Sequence, residues 1–173
     1  MVLSSLEAIA AALEGARVRF LVAGGLAVNA HGHLRLTQDI DLVVQLVPDN
    51  IARAFAALGS LGYRPQVPVA SAQFSDAAQR EAWIRDKGMK VLNFYSDLHR
   101  FTAVDMFVTE PFDFDAEYRN ALQGEITPGL LVRFVSIPTL IAMKLQAGRP
   151  IDLDDVQHLR WILDESKSNG PEH

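Results

Sequence analysis

The fold of this chain is decided by residues 24–44, which read GGLAVNAHGHLRLTQDIDLVV. Two glycines, Gly24 and Gly25, open the stretch, and Asp39-Ile40-Asp41 follows fourteen residues after the second glycine. Because successive side chains of a strand alternate between its faces, the two aspartates project from one face and the isoleucine from the other. Neighbouring carboxylates repel each other unless a cation lies between them, and Mg²⁺ takes oxygen ligands that often include substrate phosphates. The stretch therefore predicts a strand that carries a metal site suited to phosphoryl or nucleotidyl transfer.

A third carboxylate, Asp105, lies in the otherwise apolar run of residues 101–108. An unpaired carboxylate is costly to bury, so Asp105 requires a partner. Two interpretations remain open at this point. In the first, Asp105 has a structural role and pairs with a neighbouring arginine or caps an edge. In the second, its strand lies beside the strand of Asp39 and Asp41, so that three carboxylates share two metal ions. In the second case, Asp105 holds the catalytic metal and assists deprotonation of the attacking hydroxyl.

The spacing of apolar residues, glycines and prolines predicts alternating helices and strands. Helices are predicted at residues 3–14, 25–31, 51–61, 138–147 and 152–165, and strands at residues 18–22, 39–46, 89–95, 101–108 and 131–135. The strands at 89–95 and 101–108 are expected to form a hairpin, whereas residues 65–79 have no clear assignment. We expect one α/β (α+β) domain over residues 1–165, with the helices of 138–165 packed on it, and a disordered tail at 166–173.

Composition limits the classes of protein to which the chain can belong. The sequence has 173 residues, is 49% hydrophobic, carries a formal net charge of −5 and contains no cysteine. That length supports one packed domain, and the absence of a global basic field means that any polynucleotide partner needs a local patch. Disulfides and thiolate metal sites are excluded. Glu7 and Glu14 near the start favour an amphipathic helix over a signal peptide. No apolar run approaches the length of a membrane span. We therefore expect a cytoplasmic protein.

Two segments resemble a known family. Residues 24–42 are similar to the glycine turn, Arg-x-Thr lead and Asp-x-Asp motif of small bacterial nucleotidyltransferase-fold proteins, in particular those related to AbiEii-type toxins of toxin–antitoxin systems. Residues 144–156, KLQAGRPIDLDDV, resemble the helical motif of the same family, in which Lys, Ala and Arg precede a pair of Asp residues. The likeness spans about residues 18–160, and the order and combination of the motifs give it specificity.

The resemblance implies an α/β nucleotidyltransferase-like domain with a mixed, twisted sheet flanked by helices. It implies that the catalytic and metal-binding residues are Asp39, Asp41 and Asp105, with Mg²⁺ or Mn²⁺ as the ion. The implied nucleotide-binding residues are Gly24, Gly25, Arg35, Thr37, Lys144, Arg149 and Asp152. The implied reaction transfers NMP from an NTP to a hydroxyl acceptor, which is an RNA such as tRNA, a protein or a small molecule, and an antitoxin chain is a possible partner.

Several of the nucleotide-binding positions also have structural interpretations. The glycine pair either brings backbone N–H groups close to phosphates or is a plain strand-to-helix turn. Lys144 reaches a triphosphate or extends its stem to solvent. An ion pair between Arg149 and Asp152 that orients the nucleotide or Lys144 competes with direct substrate contact.

Arg35 is a candidate to bind phosphate or steer the acceptor, whereas for Thr37 a structural cap of the turn before Asp39 is favoured. His31 and His33 lack the three or four ligands that zinc normally takes, so structural or loop roles are favoured for both.

The basic run of Arg80, Arg85, Lys87 and Lys90 is interleaved with acids and indicates a solvated face rather than an acceptor site.

Two other functions are weighed against nucleotidyl transfer. The first is a non-catalytic nucleotide-binding or interaction module of the same fold. The second is a metal-dependent phosphohydrolase. Retention of all three carboxylates favours catalysis over binding alone, and the absence of a further His-Asp or carboxylate cluster disfavours hydrolysis.

Overall fold

A computed structural model describes residues 1–168 and contains a seven-stranded sheet flanked by helices. In the described chain the helices are α1 Leu3–Gly15, α2 Gly24–Ala30, α3 Pro48–Ser60, α4 Ser71–Ser75, α5 Ala77–Lys87, α6 Phe114–Asn120, α7 Ile137–Ala147 and α8 Pro150–Ser168. The strands are β1 Phe20–Val22, β2 Asp39–Val44, β3 Arg64–Pro65, β4 Val91–Tyr95, β5 Ala103–Phe107, β6 Leu122–Thr127 and β7 Leu130–Phe134. No helix among residues 1–168 is both long and apolar enough to cross a membrane.

The sheet is mixed, in the order β3-β4-β5-β2-β1-β7-β6. The pairs β2–β5 and β1–β7 are parallel, and the other neighbouring strands run antiparallel. The predicted mixed sheet and the predicted β4–β5 hairpin are therefore confirmed. The strand of Asp105 also lies beside the strand of Asp39 and Asp41, as the second interpretation of Asp105 required.

Local sequence explains where the elements begin and end. Helix α1 buries Leu6, Ile9 and Leu13, whose spacing places them on one helical face. Helix α5 begins after Asp76, whose side chain accepts from two backbone N–H groups of the first turn, and ends at Gly88 in the left-handed region. Strand β2 has four fully buried residues, Ile40, Leu42, Val43 and Val44. Their packing in the core fixes the strand and thereby the positions of its two aspartates.

Some predicted boundaries are wrong. Helix α3 begins at Pro48 rather than at residue 51, because proline occupies the first turn without losing a hydrogen bond. Residues 65–79, left unassigned, include α4 and the start of α5. Helix α6 and strand β6 were not predicted, because both are short and β6 has mostly exposed or half-exposed residues without a clear apolar alternation. Residues 166–168 of the predicted tail continue α8, and residues 169–173 lie outside the described chain.

Candidate active site

The central feature of the site is the pairing of β2 with β5. In this parallel pair, Asp41 is the Cα partner of Asp105, and Asp39 is the partner of Ala103. Adjacent strands lie about 4.8 Å apart, and Asp39 shares the strand face of Asp41, so the three carboxylates converge on one region of the sheet. Sequence spacing predicted the first two on one face, and the strand order brings the third to them.

Electrostatics support this convergence. Burial, followed by the like charges of Asp105 and Asp39, raises the pKa of Asp41 from its usual 3.8 to about 6, although Lys144 and Arg149 act in the opposite direction. Burial also raises the pKa of Asp105, and a hydrogen bond from Asn93 partly offsets this rise. Among residues 1–168, none of the three carboxylates lies within ion-pair distance of a lysine or arginine. Three converging carboxylates without a cation are a donor set that fits a hard divalent ion.

Asn93 is a functional candidate that the sequence reasoning missed. Its side-chain amide on β4 donates to Asp105 Oδ1 at 2.6 Å, and the two residues are Cα partners in the hairpin. The amide therefore fixes one carboxylate oxygen and leaves the other free for a ligand. The signal available in the sequence was a polar residue at the hairpin position opposite Asp105, but finding it required the hairpin register.

The glycine turn is shaped by the aspartate strand. Gly24 has φ +59°, in the left-handed region, and a Cβ atom at this position would overlap the carboxylate of Asp41. A Cβ on Gly25 would lie 2.8 Å from Thr37 Oγ1 and 3.1 Å from an Arg35 guanidinium nitrogen. Both glycines are thus required by close packing inside the site. Their predicted contact with phosphates remains a prediction.

Thr37 and Arg35 hold the loop between α2 and β2. The hydroxyl of Thr37 donates to the main-chain oxygen of Asp39 at 3.3 Å, which supports the start of β2. The main chain of Arg35 exchanges two hydrogen bonds of 2.9 Å with the side chain of Asn29. The Arg35 guanidinium nitrogen Nε donates to Asp155 at 2.9 Å and 3.1 Å, so one edge of this cation is already committed to a protein carboxylate.

Helices α7 and α8 contribute a mostly buried group of charges. We call Arg35, Lys144, Arg149, Asp152 and Asp155 the ion-pair cluster. Lys144 Nζ lies 2.7 Å from Asp155 and 3.2 Å from Asp152, and Arg149 Nε lies 2.6 Å from Asp152. The side chains of Lys144, Asp152 and Asp155 are at most 5% exposed, whereas that of Arg149 is 71% exposed. Three cations and two anions leave the cluster with one excess positive charge.

This arrangement separates the predicted nucleotide-binding residues into two groups. Lys144 does not extend to solvent, because its ammonium group is buried between two carboxylates. The pKa of Asp152 is lowered: burial alone would raise it, but hydrogen bonds from Arg149 and Lys144 outweigh burial. Asp152 therefore holds two cations in place, and Arg149 is the member that presents free donors. Asp155, the second missed residue, was signalled by its spacing of three from Asp152 on one helix face.

Other sequence candidates lie outside this arrangement. The ring nitrogen Nε2 of His31 is 2.8 Å from the main-chain oxygen of Val135, which is the structural role that was favoured. Arg80 is buried, donates to the main-chain oxygen of Phe74 and lies over its ring, while Arg85 pairs with Asp86. The basic run therefore does not form a continuous exposed patch for an acceptor.

Comparison with known proteins places the chain in a family. A family model described as "Nucleotidyl transferase AbiEii toxin, Type IV TA system" matches residues 7–159. A comparison with curated protein sequences gives no significant match. A crystal structure of ANT(2'')-Ia in complex with adenylyl-2''-tobramycin is similar with a TM-score of 0.59 and 16% identity, over 95% of this chain and 91% of that one.

A solution structure of the antibiotic-resistance factor ANT(2'')-Ia is similar with a TM-score of 0.55 and 16% identity, over 96% of this chain and 92% of that one. At this identity, the two likenesses show that the fold is that of nucleotidyltransferases. The family match covers both the Asp-x-Asp strand and the ion-pair cluster. The chain belongs to the AbiEii nucleotidyltransferase family, and it is a nucleotidyltransferase.

Proposed function

We propose that this enzyme transfers NMP from an NTP to an acceptor hydroxyl, with release of pyrophosphate, in a reaction that depends on Mg²⁺ or Mn²⁺. The observation that carries the proposal is the pairing of Asp41 with Asp105 on adjacent parallel strands, with Asp39 on the same face and no cation at ion-pair distance within the described chain. These three carboxylates would hold the divalent metal. When bound, it supplies neutralisation of phosphate charge and a lower pKa for the acceptor hydroxyl.

The residues of the chain have distinct parts in this reaction. The acceptor oxygen forms a bond to the α-phosphorus, the bond to the bridging oxygen breaks, and pyrophosphate leaves in line. Asp105 has one oxygen fixed by Asn93, so its other oxygen would hold the metal through one lone pair and would take the hydroxyl proton on the second. Arg149 offers its exposed guanidinium to the leaving pyrophosphate, while Asp152 holds that side chain at 2.6 Å.

The charge distribution supports an anionic substrate. The ion-pair cluster has an excess positive charge, and both Lys144 and Arg149 act electrostatically on Asp41. A triphosphate placed between the carboxylate-bound metal and the cluster would meet a positive charge at each end. In this arrangement Lys144, which is buried and doubly paired, acts as a fixed charge behind Arg149 rather than as a flexible ligand.

We further propose that the chain is the toxin component of a type IV pair and has an antitoxin partner chain. The family description supports this proposal. The acceptor is an RNA such as tRNA, a protein or a small molecule. A labelling experiment distinguishes these three classes of acceptor.

The test incubates purified enzyme with each α-labelled NTP, Mg²⁺ or Mn²⁺, and separate fractions of cellular RNA, protein and small molecules. We expect label in one fraction and release of pyrophosphate with wild type, and neither with Asp39→Ala or Asp105→Asn. Asp164→Asn removes an exposed acid near the end of α8 and is expected to keep full activity. Metal-dependent NTP binding without label or pyrophosphate in any fraction would contradict transfer and favour a binding module.

A further inference from the structure

A second group of potential metal ligands lies outside the carboxylate site. His33 belongs to the loop between α2 and β2, and Asp154 and His158 lie one turn apart on α8. Each of these residues offers a ligand atom, and the three atoms all lie within 4.8 Å of one another. The expectation that His33 has only a loop role lacked these two partners, which are more than 120 residues away in the sequence.

The distances are close to those of a bound transition metal ion. His33 Nε2 lies 3.7 Å from Asp154 Oδ2, and His158 Nδ1 lies 3.6 Å from the same oxygen. In a tetrahedral zinc site, ligand atoms about 2.1 Å from the ion are separated by roughly 3.4 Å. Asp154 Oδ2 therefore lies a few tenths of an ångström from tetrahedral spacing to each histidine nitrogen. The two histidine nitrogens are within 4.8 Å of each other and would have to reorient to share one ion.

The two histidine rings would have to leave their present stacked arrangement to share an ion. The imidazoles of His33 and His158 are stacked with centroids 3.7 Å apart and an angle of 9° between their planes. His158 Nδ1 is also 2.9 Å from the main-chain oxygen of Asp154. An ion bound by both rings would replace that contact and tilt the rings apart. The His33, Asp154 and His158 side chains are 20%, 59% and 31% exposed, so an ion has a path from solvent and room for a water ligand.

The donor set differs from that of the carboxylate site. Two imidazole nitrogens and one carboxylate oxygen suit Zn²⁺ and related ions such as Co²⁺ and Ni²⁺, whereas Mg²⁺ prefers oxygen ligands alone. Three protein ligands with an open fourth position are also a common zinc coordination pattern. The site would thus select a different metal from the one that serves nucleotidyl transfer.

We propose that His33, Asp154 and His158 form a binding site for one Zn²⁺-class transition metal ion per chain, separate from the three catalytic carboxylates. The ion would join the α2–β2 loop to α8. His33 lies two residues before Arg35, and Asp154 immediately precedes Asp155, which accepts from Arg35 at 2.9 Å. The metal would therefore reinforce a connection that already runs between the loop and the helix.

The test uses the full-length chain without an affinity tag, treated with a chelator and titrated with ZnCl₂ by calorimetry in excess Mg²⁺. We expect one equivalent of Zn²⁺ to bind, and we expect His33→Gln and His158→Gln each to weaken binding by about tenfold or more. His99→Gln is the matched control. The ring of His99 interacts with Ser5 and Tyr63, so this variant is expected to bind Zn²⁺ like wild type.

A second measurement does not depend on any variant folding correctly. In the wild-type protein, Zn²⁺ is expected to shift the NMR signals of the His33 and His158 rings selectively. Absence of Zn²⁺ uptake, equal affinity in wild type and in the double variant His33→Gln/His158→Gln, or shifts confined to other histidines would each overturn the proposal. Loss of Zn²⁺ binding in Asp41→Asn, with retention in the double histidine variant, would also overturn it, because the ion would then occupy the carboxylate site.

Discussion

Gly24 and Asp41 fit against each other so closely that a Cβ atom on Gly24 would overlap the Asp41 carboxylate. The main-chain N–H of Ala23 also donates to the main-chain oxygen of Asp41 at 2.9 Å, so the turn and the strand are joined through the backbone. The glycine motif and the aspartate motif are therefore two halves of one packed unit. A change in the turn is therefore expected to act directly on Asp41, one of the three carboxylates proposed to be catalytic.

Replacement of Gly24 by alanine tests this packing. We expect Gly24→Ala to lower kcat/KM by about 100-fold, because the new Cβ displaces the Asp41 carboxylate by a distance that matters for catalysis. Gly88→Ala is the control: Gly88 has nearly the same φ, +61° against +59°, but open space around a Cβ. In both variants we expect backbone strain to lower the free energy of unfolding, measured in urea, by about 1–2 kcal/mol. Equal losses of activity in the two variants would show that strain, rather than contact with Asp41, is responsible.

The raised pKa of Asp41 predicts how stability depends on pH in metal-free protein. An acid with a folded-state pKa near 6 and an unfolded value near 3.8 binds protons more tightly when folded, so its contribution to stability falls as pH rises between these values. We expect Asp41→Asn to be more stable than wild type at pH 8 by on the order of 2–3 kcal/mol, and to lose this advantage near pH 4. Urea unfolding at both pH values in chelator measures the difference. The idea fails if the two proteins differ equally at pH 4 and pH 8.

Asn93 is expected to act as a positioning residue for Asp105. Asn93→Ala removes the 2.6 Å hydrogen bond to Asp105 Oδ1 and is predicted to weaken the apparent affinity for Mg²⁺ or Mn²⁺ by about 10–100-fold. Because Asn93 is exposed, the free energy of unfolding should change little. Metal titrations of activity give the affinity.

Tyr95→Phe is the control for Asn93, since Tyr95 is also exposed on β4 and its hydroxyl accepts from Arg64 rather than contacting a carboxylate of the site. This variant should keep the wild-type metal dependence. Unchanged metal affinity in Asn93→Ala would remove Asn93 from the site.

Residues that interact through local periodicity were predictable from the sequence, and residues that interact through strand order were predictable only in part. Asp39 and Asp41 follow from alternation along one strand. Their convergence with Asp105 required a parallel neighbour, which the sequence could suggest only as one of two interpretations of that residue. Asn93 required the register of a hairpin, and a shift of one residue would have turned it to the opposite face.

The ion-pair cluster shows the same limit. The sequence indicated a contact between Arg149 and Asp152, which are three residues apart. It did not indicate that Lys144 is buried, because an ammonium on an apolar helix can equally extend to solvent. Lys144 is buried because it pairs with a second carboxylate, Asp155, which also pairs with Arg35. These residues come together only in the folded chain, so the sequence does not show their contact.

Lys144 is expected to matter mainly for stability. Lys144→Met removes the cation between Asp152 and Asp155 and leaves their buried carboxylates short of one partner. Breaking a buried ion pair in this way typically costs about 3–5 kcal/mol, so the midpoint of urea unfolding should fall clearly. The double variant Lys144→Met/Asp152→Leu also removes one of these carboxylates, and the other partner of Asp152, Arg149, is exposed, so this variant should recover part of the loss. A change below about 1 kcal/mol in Lys144→Met would mean that the pair is not buried in solution.

Arg149 is expected to matter mainly for substrate binding. Arg149→Met removes two hydrogen bonds from the buried Asp152, which keeps Lys144 as a partner, so the free energy of unfolding should fall by about 1–3 kcal/mol, less than in Lys144→Met. If the guanidinium binds the triphosphate, the variant loses a charge-assisted contact, and KM for NTP should rise by roughly 10–100-fold. Arg85→Met is the control for loss of an exposed guanidinium, because Arg85 is 72% exposed and pairs at 2.8 Å with Asp86, which is exposed as well. This control should leave both stability and KM at wild-type values, since α5 contributes none of the proposed nucleotide contacts. A normal KM in Arg149→Met would assign Arg149 to the structural support of Asp152 alone and would leave the triphosphate without its proposed arginine.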